Sequence, residues 1–454
     1  MLPNPRGYLN VHTRVLSNPK AWLYVAVHTI LSCLIVALFA PVPAAAQVQV
    51  IHLSADHGLP FHEYLRERAE AFMAQHPDIE IIVEIASGNY TEGVQVRIAA
   101  GVPVNVLDST HSFMVFAIQN MLEDLRPHLE RDDIHITSSI LPFALDVLGH
   151  GSSILGIPSQ VFFVGTIYNR TLFDEAGLPP LGELGDDWSW RWLREEARKL
   201  TRDKNGDGET DQYAVTTSRS FIRMDPFVHQ AGGLSYDRYL DPTESRFNTE
   251  PVREGLDFLV DLTQSGVATS AGTQQFFGEQ RAAIDLSGTP NYLTFARDSL
   301  DQFEATAQPL GPVGRGGATY FGPYHILAGG SPEQSAAAYK WVRFLALDVE
   351  SQIKMMEATG RLPAYLPVLQ DFASYLTSYP ESEALFLTGF AHAATHPDNF
   401  PHYLTPAEGA IQAAFNPGFA AVLSGEESLN NFLINMHEVA QTELNRIQRP
   451  SATE

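Results

Sequence analysis

The sequence predicts an α/β fold class, because strand-like runs alternate along the chain with helix-like stretches. VQVIHLS (48–54) has the period-two pattern of a strand, and PFHEYLRERAEAFMAQHP (60–77) repeats its apolar residues at helical spacing. IEIIVEIA (79–86) is again strand-like, and VNVLDS (104–109) has the composition of a buried strand. Alternation of this kind favours parallel sheets covered by helices.

The same pattern continues through the rest of the chain. VFFVGTIYN (161–169) predicts one strand, and WSWRWLREEARKL (188–200) and PVREGLDFLVDLTQSG (251–266) predict helices. SPEQSAAAYKWVRFLAL (331–347) opens with an S-x-x-Q capping box and places proline at the first helical position. The C-terminal quarter is mainly helical. No low-complexity linker divides the chain, so we expect lobes that are each built from more than one segment.

Composition limits the classes of function. The chain has 454 residues, of which 44% are hydrophobic and 18% charged, and this describes a globular protein with a large core. The formal net charge of −24 argues against nucleic-acid binding, which needs a basic face, and against docking to an anionic membrane. A neutral ligand remains compatible with it.

Residues 1–46 have the order of a secretory signal peptide. A basic region is followed by the apolar run AWLYVAVHTILSCLIVALFAPVPAAAQ, which closes on an A-x-A site at Ala44–Ala46. We therefore expect a periplasmic or extracellular protein; a membrane anchor is the alternative. The single cysteine, Cys33, could instead be lipidated, but cleavage there would leave an apolar tail exposed. The mature chain would contain no cysteine.

The segment RDKNGDGETDQYAV (202–215) resembles the first half of a calcium loop. Oxygen-bearing side chains recur along it, and Gly208 is the sixth residue counted from Asp203, as a sharp turn requires. The twelfth residue is Ala214, where an EF-hand has a bidentate glutamate. The segment is therefore an incomplete EF-hand.

Several segments, in order, resemble the extracellular solute-binding proteins of ABC importers, especially the sugar-binding group related to maltose-binding protein. They are AEAFMAQHPDIEIIVE, VQVRIAAGVPVNVLDS, NMLEDLRP, GIPSQVFFVGTIYNRTLFDEAGL, FGEQRAAIDLSG, YFGPYHILAGGSPEQSAAAYKWVRFL and GRLPA. One departure is Asn105, where the family usually has aspartate after a proline-containing turn. The resemblance covers almost the whole mature chain.

This resemblance implies a two-lobed fold of the type II periplasmic binding class with a ligand cleft between the lobes. Lobe one would comprise 48–157 and 286–325, and lobe two 158–285 and 326–450, with a helical C-terminal part. The protein would capture a sugar or oligosaccharide by hinge closure and deliver it to an ABC permease and ATPase. We expect a monomer that needs no cofactor.

Ligand contacts are expected beyond the carboxyl ends of the strands. Aromatic rings pack on sugar C–H faces, and carboxylate and amide oxygens accept hydrogen bonds from hydroxyl groups. Among the candidates, Gly288 and Phe321 have the clearest positional support from the resemblance. The predicted ligand-binding residues are Tyr90, Asp108, Ser109, Gln160, Phe162, His229, Gln230, Gly288, Tyr292, Phe321 and Tyr324. Trp188, Trp190, Trp192 and Trp341 have helical spacing and are predicted to lie mostly in the core.

Family members often carry an Asp- and Gly-rich turn after the corresponding helix, and some bind calcium there. The resemblance therefore implies a structural calcium site formed by Asp203, Asn205, Asp207 and Asp211, with the Glu209 carbonyl oxygen as a further ligand. The alternative is a solvated turn held by Asx hydrogen bonds.

Other functions have weaker support. G-x-S-x-G, H-E-x-x-H and G-x-x-x-x-G-K-[ST] motifs are absent, so no catalytic residue is predicted. A secreted glycosidase would need a carboxylate pair that nothing singles out. Glycerol phosphodiesters, anionic oligosaccharides and peptides are alternative ligands. For a phosphate ligand, Arg315 and Arg361 are possible donors. His392, His396 and His402 are predicted to lie in a solvated loop.

Overall fold

The computed structural model describes residues 47–108, 113–150, 152–270, 277–290, 292 and 301–448. The predicted signal peptide and Ser109 lie outside these ranges. Fourteen strands fall within them: β1 Val48–Ser54, β2 Ile79–Ile85, β3 Val106–Asp108, β4 Gly149–His150, β5 Ser153–Ile154, β6 Ile157–Phe163, β7 Gly165–Asn169, β8 Tyr213–Thr216, β9 Ala268–Thr269, β10 Ala282–Gly288, β11 Phe303–Thr306, β12 Ala318–Ile326, β13 Leu362–Pro363 and β14 Phe400–Pro401.

The α-helices of the same ranges are α1 Leu59–Gln75, α2 Tyr90–Ala99, α3 Met114–Ala117, α4 Arg126–Arg131, α5 Ile136–Ser139, α6 Leu145–Leu148, α7 Arg170–Ala176, α8 Trp190–Glu195, α9 Phe221–Gln230, α10 Glu250–Gln264, α11 Pro332–Leu347, α12 Val349–Thr359, α13 Leu366–Gln370, α14 Glu381–Ala394, α15 Glu408–Ser424 and α16 Leu429–Gln448. The capping box predicted for α11 is present, since Ser331 and Gln334 exchange side-chain and backbone hydrogen bonds. None of these helices is both long and apolar enough to cross a membrane.

The first sheet has seven strands in the order β13-β6-β12-β3-β1-β2, with β14 added to β12. β1 pairs in parallel with β2 and β3, as the alternating pattern predicts. β12 runs antiparallel to both β3 and β6, so the sheet is mixed rather than parallel. The prediction of parallel sheets was therefore wrong for β12. The chain reaches β12 directly from the second sheet, and no crossover helix precedes it to make the strand parallel to its neighbours.

The second sheet has five strands in the order β11-β7-β10-β8-β9. β8 pairs in parallel with β9 and β10, whereas β7 runs antiparallel to β10 and β11. Helices α9 and α10 pack against each other, and α15 and α16 pack against α10. We call this sheet and its helices the second lobe, and the seven-stranded sheet and its helices the first lobe.

The strand predicted at 161–169 is two strands in different lobes. β6 ends at Phe163 in the first sheet, and β7 begins at Gly165 in the second, so Val164 alone separates them. A side chain at Gly165 would meet the rings of Phe163 and Phe390 at 2.9 and 3.1 Å. The chain can change sheets here because glycine leaves room for both rings.

The lobes contain different segments from those predicted. β6 lies in the first sheet although residues from 158 onward were assigned to lobe two, and β11 lies in the second sheet although 286–325 was assigned to lobe one. Helices α11 and α12 also contact the first lobe, through β1, β6 and α1. The assignment of residues 326–450 to lobe two is therefore corrected for α11 and α12. The apolar residues of α11 and α12 pack on the first lobe. Sequence periodicity shows that a helix has an apolar face, but it does not show which lobe that face packs against.

The apolar core has two large clusters, and the first extends from the first sheet to Ile167, Ala282 and Phe303 of the second sheet. Trp341 is fully buried in the first, where its ring meets Phe72 edge-on with centroids 5.3 Å apart. Trp188, Trp190 and Trp192 are buried in the second, and the Trp190 ring stacks on Phe258 at 4.1 Å. All four tryptophans therefore lie in the core.

Candidate functional site

The two lobes meet where the chain passes between the sheets. Val164 joins β6 to β7, and its backbone N–H donates to the carbonyl of Ala318 at the start of β12. Residues 307–317 return the chain from β11 to β12, and β14 then pairs with Ala318 and Thr319. Val164, Ala318, Tyr320 and Phe400 form a separate small cluster here, covered by the partly exposed side chains of Phe162, Ile222 and Tyr239. We call this region the junction.

One face of the first sheet leads into the junction. Residues that are opposite in a sheet share a face, as do alternate residues of one strand. Tyr324 lies opposite Asp108, and Tyr320 lies opposite Phe162. Extending the β13–β6 register by one residue places Arg361 opposite Phe162 on its other side. The resulting junction face carries Asp108, Gln160, Phe162, Tyr320, Tyr324 and Arg361.

Asp108 is a buried carboxylate at the carboxyl end of β3, where the strand-end rule predicted a ligand contact. Its Oδ1 accepts a hydrogen bond from the Ala55 N–H at 2.7 Å and lies 3.3 Å from His57 Nε2, while Oδ2 lies 3.4 Å from His52 Nε2. Burial raises the pKa of Asp108, but hydrogen bonds and charge from the two histidines outweigh it and hold the pKa well below its usual range. Asp108 is therefore ionised and already partnered.

The predicted tyrosines lie beside this carboxylate. The Tyr90 hydroxyl donates to the Leu53 carbonyl at 2.9 Å, and burial together with the Asp108 charge raises the pKa of Tyr90. Tyr324 is buried, with its ring 5.4 Å from that of His52 in an edge-on arrangement. The structure thus brings Tyr90, Asp108 and Tyr324 together in the first lobe.

Arg361 lies at the edge of the junction face. Gly360 ends α12 in the left-handed region, at φ 67°, and the next residues enter the edge strand β13. The Arg361 guanidinium carbon lies 4.7 Å from the ring centroid of Phe162 and 5.5 Å from that of Phe61. Its Nη1 donates to the Gln160 Oε1 at 2.8 Å, so the predicted residue Gln160 holds this arginine in place.

Helix α9 supplies the second lobe's side of the junction. The Tyr320 hydroxyl donates to the Ile222 carbonyl at 2.9 Å, and Arg223 Nη1 donates to the Ser287 carbonyl at 3.3 Å. His229 stacks on Phe400 at 4.0 Å between centroids, and burial lowers the pKa of His229 to about 4. A neutral imidazole is therefore expected there at neutral pH.

Four of the predicted ligand residues have structural roles in this arrangement. Gln230 is buried, accepting from Trp190 Nε1 at 2.7 Å and donating to the Gly316 carbonyl. Phe321 lies on the opposite face of the sheet from Asp108 and contacts Phe143, and Tyr292 is buried between Phe277 and Phe303. A side chain at Gly288 would overlap Ile167. Close packing accounts for these positions without a ligand.

Tyr320 belongs to the segment YFGPY, which the resemblance places at the cleft, but it was not among the predicted ligand residues. The sequence prediction missed the junction residues His52, His57, Ile222, Arg223 and Tyr239. Tyr320 could have been found, because it shares the period-two spacing of Gly322 and Tyr324 along β12, whereas Phe321 does not. Arg223 and Ile222 carry no comparable signal, since a helical residue's position beside a distant strand depends on tertiary packing.

The acidic loop after residue 202 is closed by hydrogen bonds to its own backbone. Asp203 accepts from the Gly206 and Gly208 N–H groups, and Asp211 accepts from Lys204 and Asn205. Similar bonds involve the remaining predicted ligands, Asn205, Asp207 and Glu209. The Asp207 N–H donates to Asn205 Oδ1, and the Glu209 N–H donates to Asp207 Oδ1. No group of three acidic, histidine or cysteine side chains in the described ranges is arranged to hold a metal. The donors do not fit a calcium ion in this arrangement, and calcium binding stays a prediction.

Arg315 and His402 also have structural roles. The Arg315 guanidinium donates to the carbonyls of Trp188, Gln308 and Gly185, which uses its donors inside the second lobe. His402 is buried and lies 2.9 Å from a Glu408 oxygen, so the prediction of a solvated histidine loop was wrong for this residue. It is held beneath Tyr320, whose ring is 4.4 Å away.

Residues 67–383 match the family described as bacterial extracellular solute-binding protein. The chain belongs to this family. Comparison with curated proteins gave no match. The cyclic α-maltosyl-1,6-maltose binding protein of Arthrobacter globiformis is 17% identical at a TM-score of 0.73, covering 88% of this chain and 100% of that chain. The sugar-binding protein MalE of Xanthomonas citri is 18% identical at a TM-score of 0.72, covering 88% and 98%.

A third solved structure is the Listeria monocytogenes ABC substrate-binding protein in complex with cycloalternan. It is 21% identical at a TM-score of 0.67, covering 87% of this chain and 99% of that chain. At these identities the similarity establishes the fold. This solute-binding protein therefore has the two-lobed α/β architecture, as predicted, and the proteins that it resembles are binding proteins.

Proposed function

We propose that this solute-binding protein is the substrate-binding component of an ABC importer and captures a sugar or oligosaccharide between its two lobes. The observation that carries the proposal is the junction, where partly exposed aromatic and apolar side chains from both lobes surround hydrogen-bonding groups. Phe162 and Tyr239 offer ring surface for sugar C–H faces, and Asp108 and Gln160 lie on the same face as Phe162. The solved relatives named for sugars support the ligand class.

Hinge closure follows from the connections between the lobes. Among the described residues, the chain passes between the lobes at Val164, at residues 307–317 and near β14, so rotation about a few backbone torsions there can move one sheet against the other. A ligand that contacts both lobes favours the closed state by its differential affinity for that state. The closed protein would then be recognised by a permease with its ATPase.

We further propose that the protein acts without catalysis, as a monomer outside the cytoplasm. The family's extracellular character supports this location, as do the basic, apolar and A-x-A regions of residues 1–46, which we propose act as an export signal. The absence of catalysis is supported by the family and by the solved structures that the chain resembles, which are binding proteins.

A thermal-shift screen of residues 47–454 against neutral sugars, acidic sugars, glycerol phosphodiesters and short peptides tests this proposal. A ligand that binds only the native state raises the Tm by mass action. We expect a rise with a saccharide, a smaller radius of gyration by small-angle X-ray scattering, and unchanged ligand mass afterwards. A rise with a peptide alone, or hydrolysis of the saccharide, would contradict the proposed function.

A further inference from the structure

Arg361 is a half-buried cation without an acidic partner. In the described part of the chain, no carboxylate oxygen lies within 4.0 Å of its guanidinium, and Gln160 is the one side-chain acceptor that it contacts. The rings of Phe162 and Phe61 lie 4.7 and 5.5 Å from its guanidinium carbon, and such contacts leave the N–H groups to hydrogen-bond elsewhere. Burial lowers the pKa of Arg361 from its ordinary value, yet an arginine stays charged in proteins.

The neighbouring charges do not neutralise this arginine by direct contact. Asp108 acts on Arg361 only at longer range; its Oδ1 accepts from the Ala55 N–H and faces His57, and its Oδ2 lies 3.4 Å from His52 Nε2. Arg315 shows the contrast, since its guanidinium is held by three backbone carbonyls. Arg361 therefore keeps a planar set of N–H donors, fixed in orientation, at the edge of the junction face.

The second lobe presents a similar group. Arg223, on α9, contacts the Ser287 carbonyl, and the described residues place no carboxylate within 4.0 Å of it. The Tyr320 hydroxyl donates to the carbonyl of Ile222, the neighbour of Arg223, so Arg223 lies near the other end of the Phe162–Tyr320 pair. Burial raises the pKa of Tyr320, and the Arg223 charge opposes that rise. The junction thus carries an arginine without an acidic partner from each lobe.

We propose that the solute is an acidic carbohydrate whose anionic group binds the Arg361 guanidinium. The inference rests on the proposed function and specifies its ligand. A guanidinium fixed by stacking and by one hydrogen bond recognises a carboxylate or phosphate through two parallel N–H···O bonds, and such bonds to charged groups are about twice as strong as neutral ones. A neutral sugar would offer those donors only uncharged hydroxyl and ring oxygens, which accept weaker hydrogen bonds.

The acidic group belongs at the Arg361 end of the junction. At the opposite end, burial raises the pKa of Tyr239, and the charges of Asp225 and Asp146 raise it further, so carboxylates already lie near that ring. An anionic sugar placed there would meet a like charge. The ligand is therefore charged at one end and presents neutral sugar faces to Tyr239.

Isothermal titration calorimetry with matched ligands tests this inference. The probes are oligogalacturonates and oligoglucuronates, their carboxyl methyl esters, sugar phosphates, and neutral malto-oligosaccharides. We expect the acid to bind about tenfold to a hundredfold more tightly than its ester, a preference that weakens as salt is added. A preference for the phosphates instead would identify phosphate as the anionic group.

Variants assign the preference to Arg361. Arg361→Gln is expected to abolish the acid-over-ester preference, and Arg361→Lys is expected to retain part of it. Arg191→Gln removes the same charge at an exposed site paired with Asp187 and should change neither affinity. A Tm for each variant confirms folding.

The outcomes separate the two proposals. Equal affinity for acid and ester, or a preference that survives Arg361→Gln, overturns the acidic-ligand inference while neutral-sugar binding leaves the proposed function standing. If no saccharide binds and a non-carbohydrate ligand does, both the acidic-ligand inference and the proposed function are wrong.

Discussion

The Tyr320 hydroxyl donates a hydrogen bond of 2.9 Å to the backbone carbonyl of Ile222 and so joins the central strand of the first lobe to a helix of the second. Tyr320 is buried and its ring lies over His402, whereas Ile222 remains partly exposed. Tyr320 is therefore fixed in the first sheet, whereas Ile222 can move with the second lobe during a hinge movement.

Tyr320→Phe should weaken this connection without altering the packed ring. Loss of a hydrogen bond of this kind costs about 0.5–1.5 kcal/mol of unfolding free energy. Because the bond spans the lobes, we also expect a larger radius of gyration for the unliganded variant. Chemical denaturation and small-angle scattering measure the two effects. Tyr375→Phe, which removes a hydroxyl with no hydrogen bond in the described chain, is the control; equal changes in both variants would rule out a specific role for Tyr320.

Gly317 is expected to tolerate no side chain. A Cβ atom there would lie 2.5 Å from the Phe163 ring and 2.9 Å from the Val164 carbonyl oxygen, at the point where the chain crosses between lobes. Gly317→Ala should lower the unfolding free energy by about 1–3 kcal/mol through overpacking. Gly93→Ala in α2, where a Cβ meets nothing within 4 Å, should instead raise it by roughly 0.5–1 kcal/mol. A Gly317 variant as stable as wild type would contradict the close contact.

His325 should make stability depend on pH. It is fully buried, with Nδ1 donating to the Leu155 carbonyl, and burial lowers its pKa to about 4 from the ordinary 6.5. Between these values the unfolded chain binds more protons, so unfolding free energy rises with pH and is lost as pH falls from 6.5 toward 4, by up to about 3 kcal/mol.

His325→Gln should remove this part of the pH dependence, which denaturant unfolding at a series of pH values measures. Asp225, whose pKa burial raises to about 6, contributes with the opposite sign, so the difference between wild type and variant is the relevant quantity. His135→Gln, at an exposed histidine, is the control. A difference that stays constant between pH 4 and 6.5 would show that His325 is not the group responsible.

The acidic loop offers a test by limited proteolysis. Asp203 accepts from the Gly206 and Gly208 N–H groups, so Asp203→Ala should loosen the turn and accelerate trypsin cleavage after Lys204 several-fold. The predicted calcium site predicts a further effect: added calcium would slow cleavage of the wild type but not of the variant. Lys340 is a matched cleavage site outside the loop. Equal cleavage after Lys204 in both proteins would contradict a supporting role for Asp203.

Local patterns predicted much of the fold. The bounds of β1 are those predicted, and the capping box of Ser331 and Gln334 begins α11 as expected, because both features depend on nearby residues. The break at Val164 was missed, since VFFVGTIYN is apolar on both sides of it. Which lobe α11 joins depends on contacts with β1 and β6, far away in sequence, and periodicity carries no information about that choice.

The site was predicted less completely for the same reason. Asp108 was found because it ends a strand, and strand ends have a general relation to ligand sites. Gln160, Phe162 and Arg361 come together only through the register of β6 and β13, which no local pattern specifies. Phe321 and Tyr320 are neighbours in sequence on opposite faces of β12, so a one-residue difference decides which one faces the junction.

The place of β12 in the first sheet also sets the order in which the protein can mature during synthesis. β12 lies between β6 and β3, so a nascent chain that stops before Ala318 has two separate half-sheets, each with an open edge. The edge strand β13, next to Arg361, comes later still. A ribosome must therefore deliver the chain as far as Pro363 before the first lobe can close, so the N-terminal strands of that lobe cannot complete their sheet as they emerge.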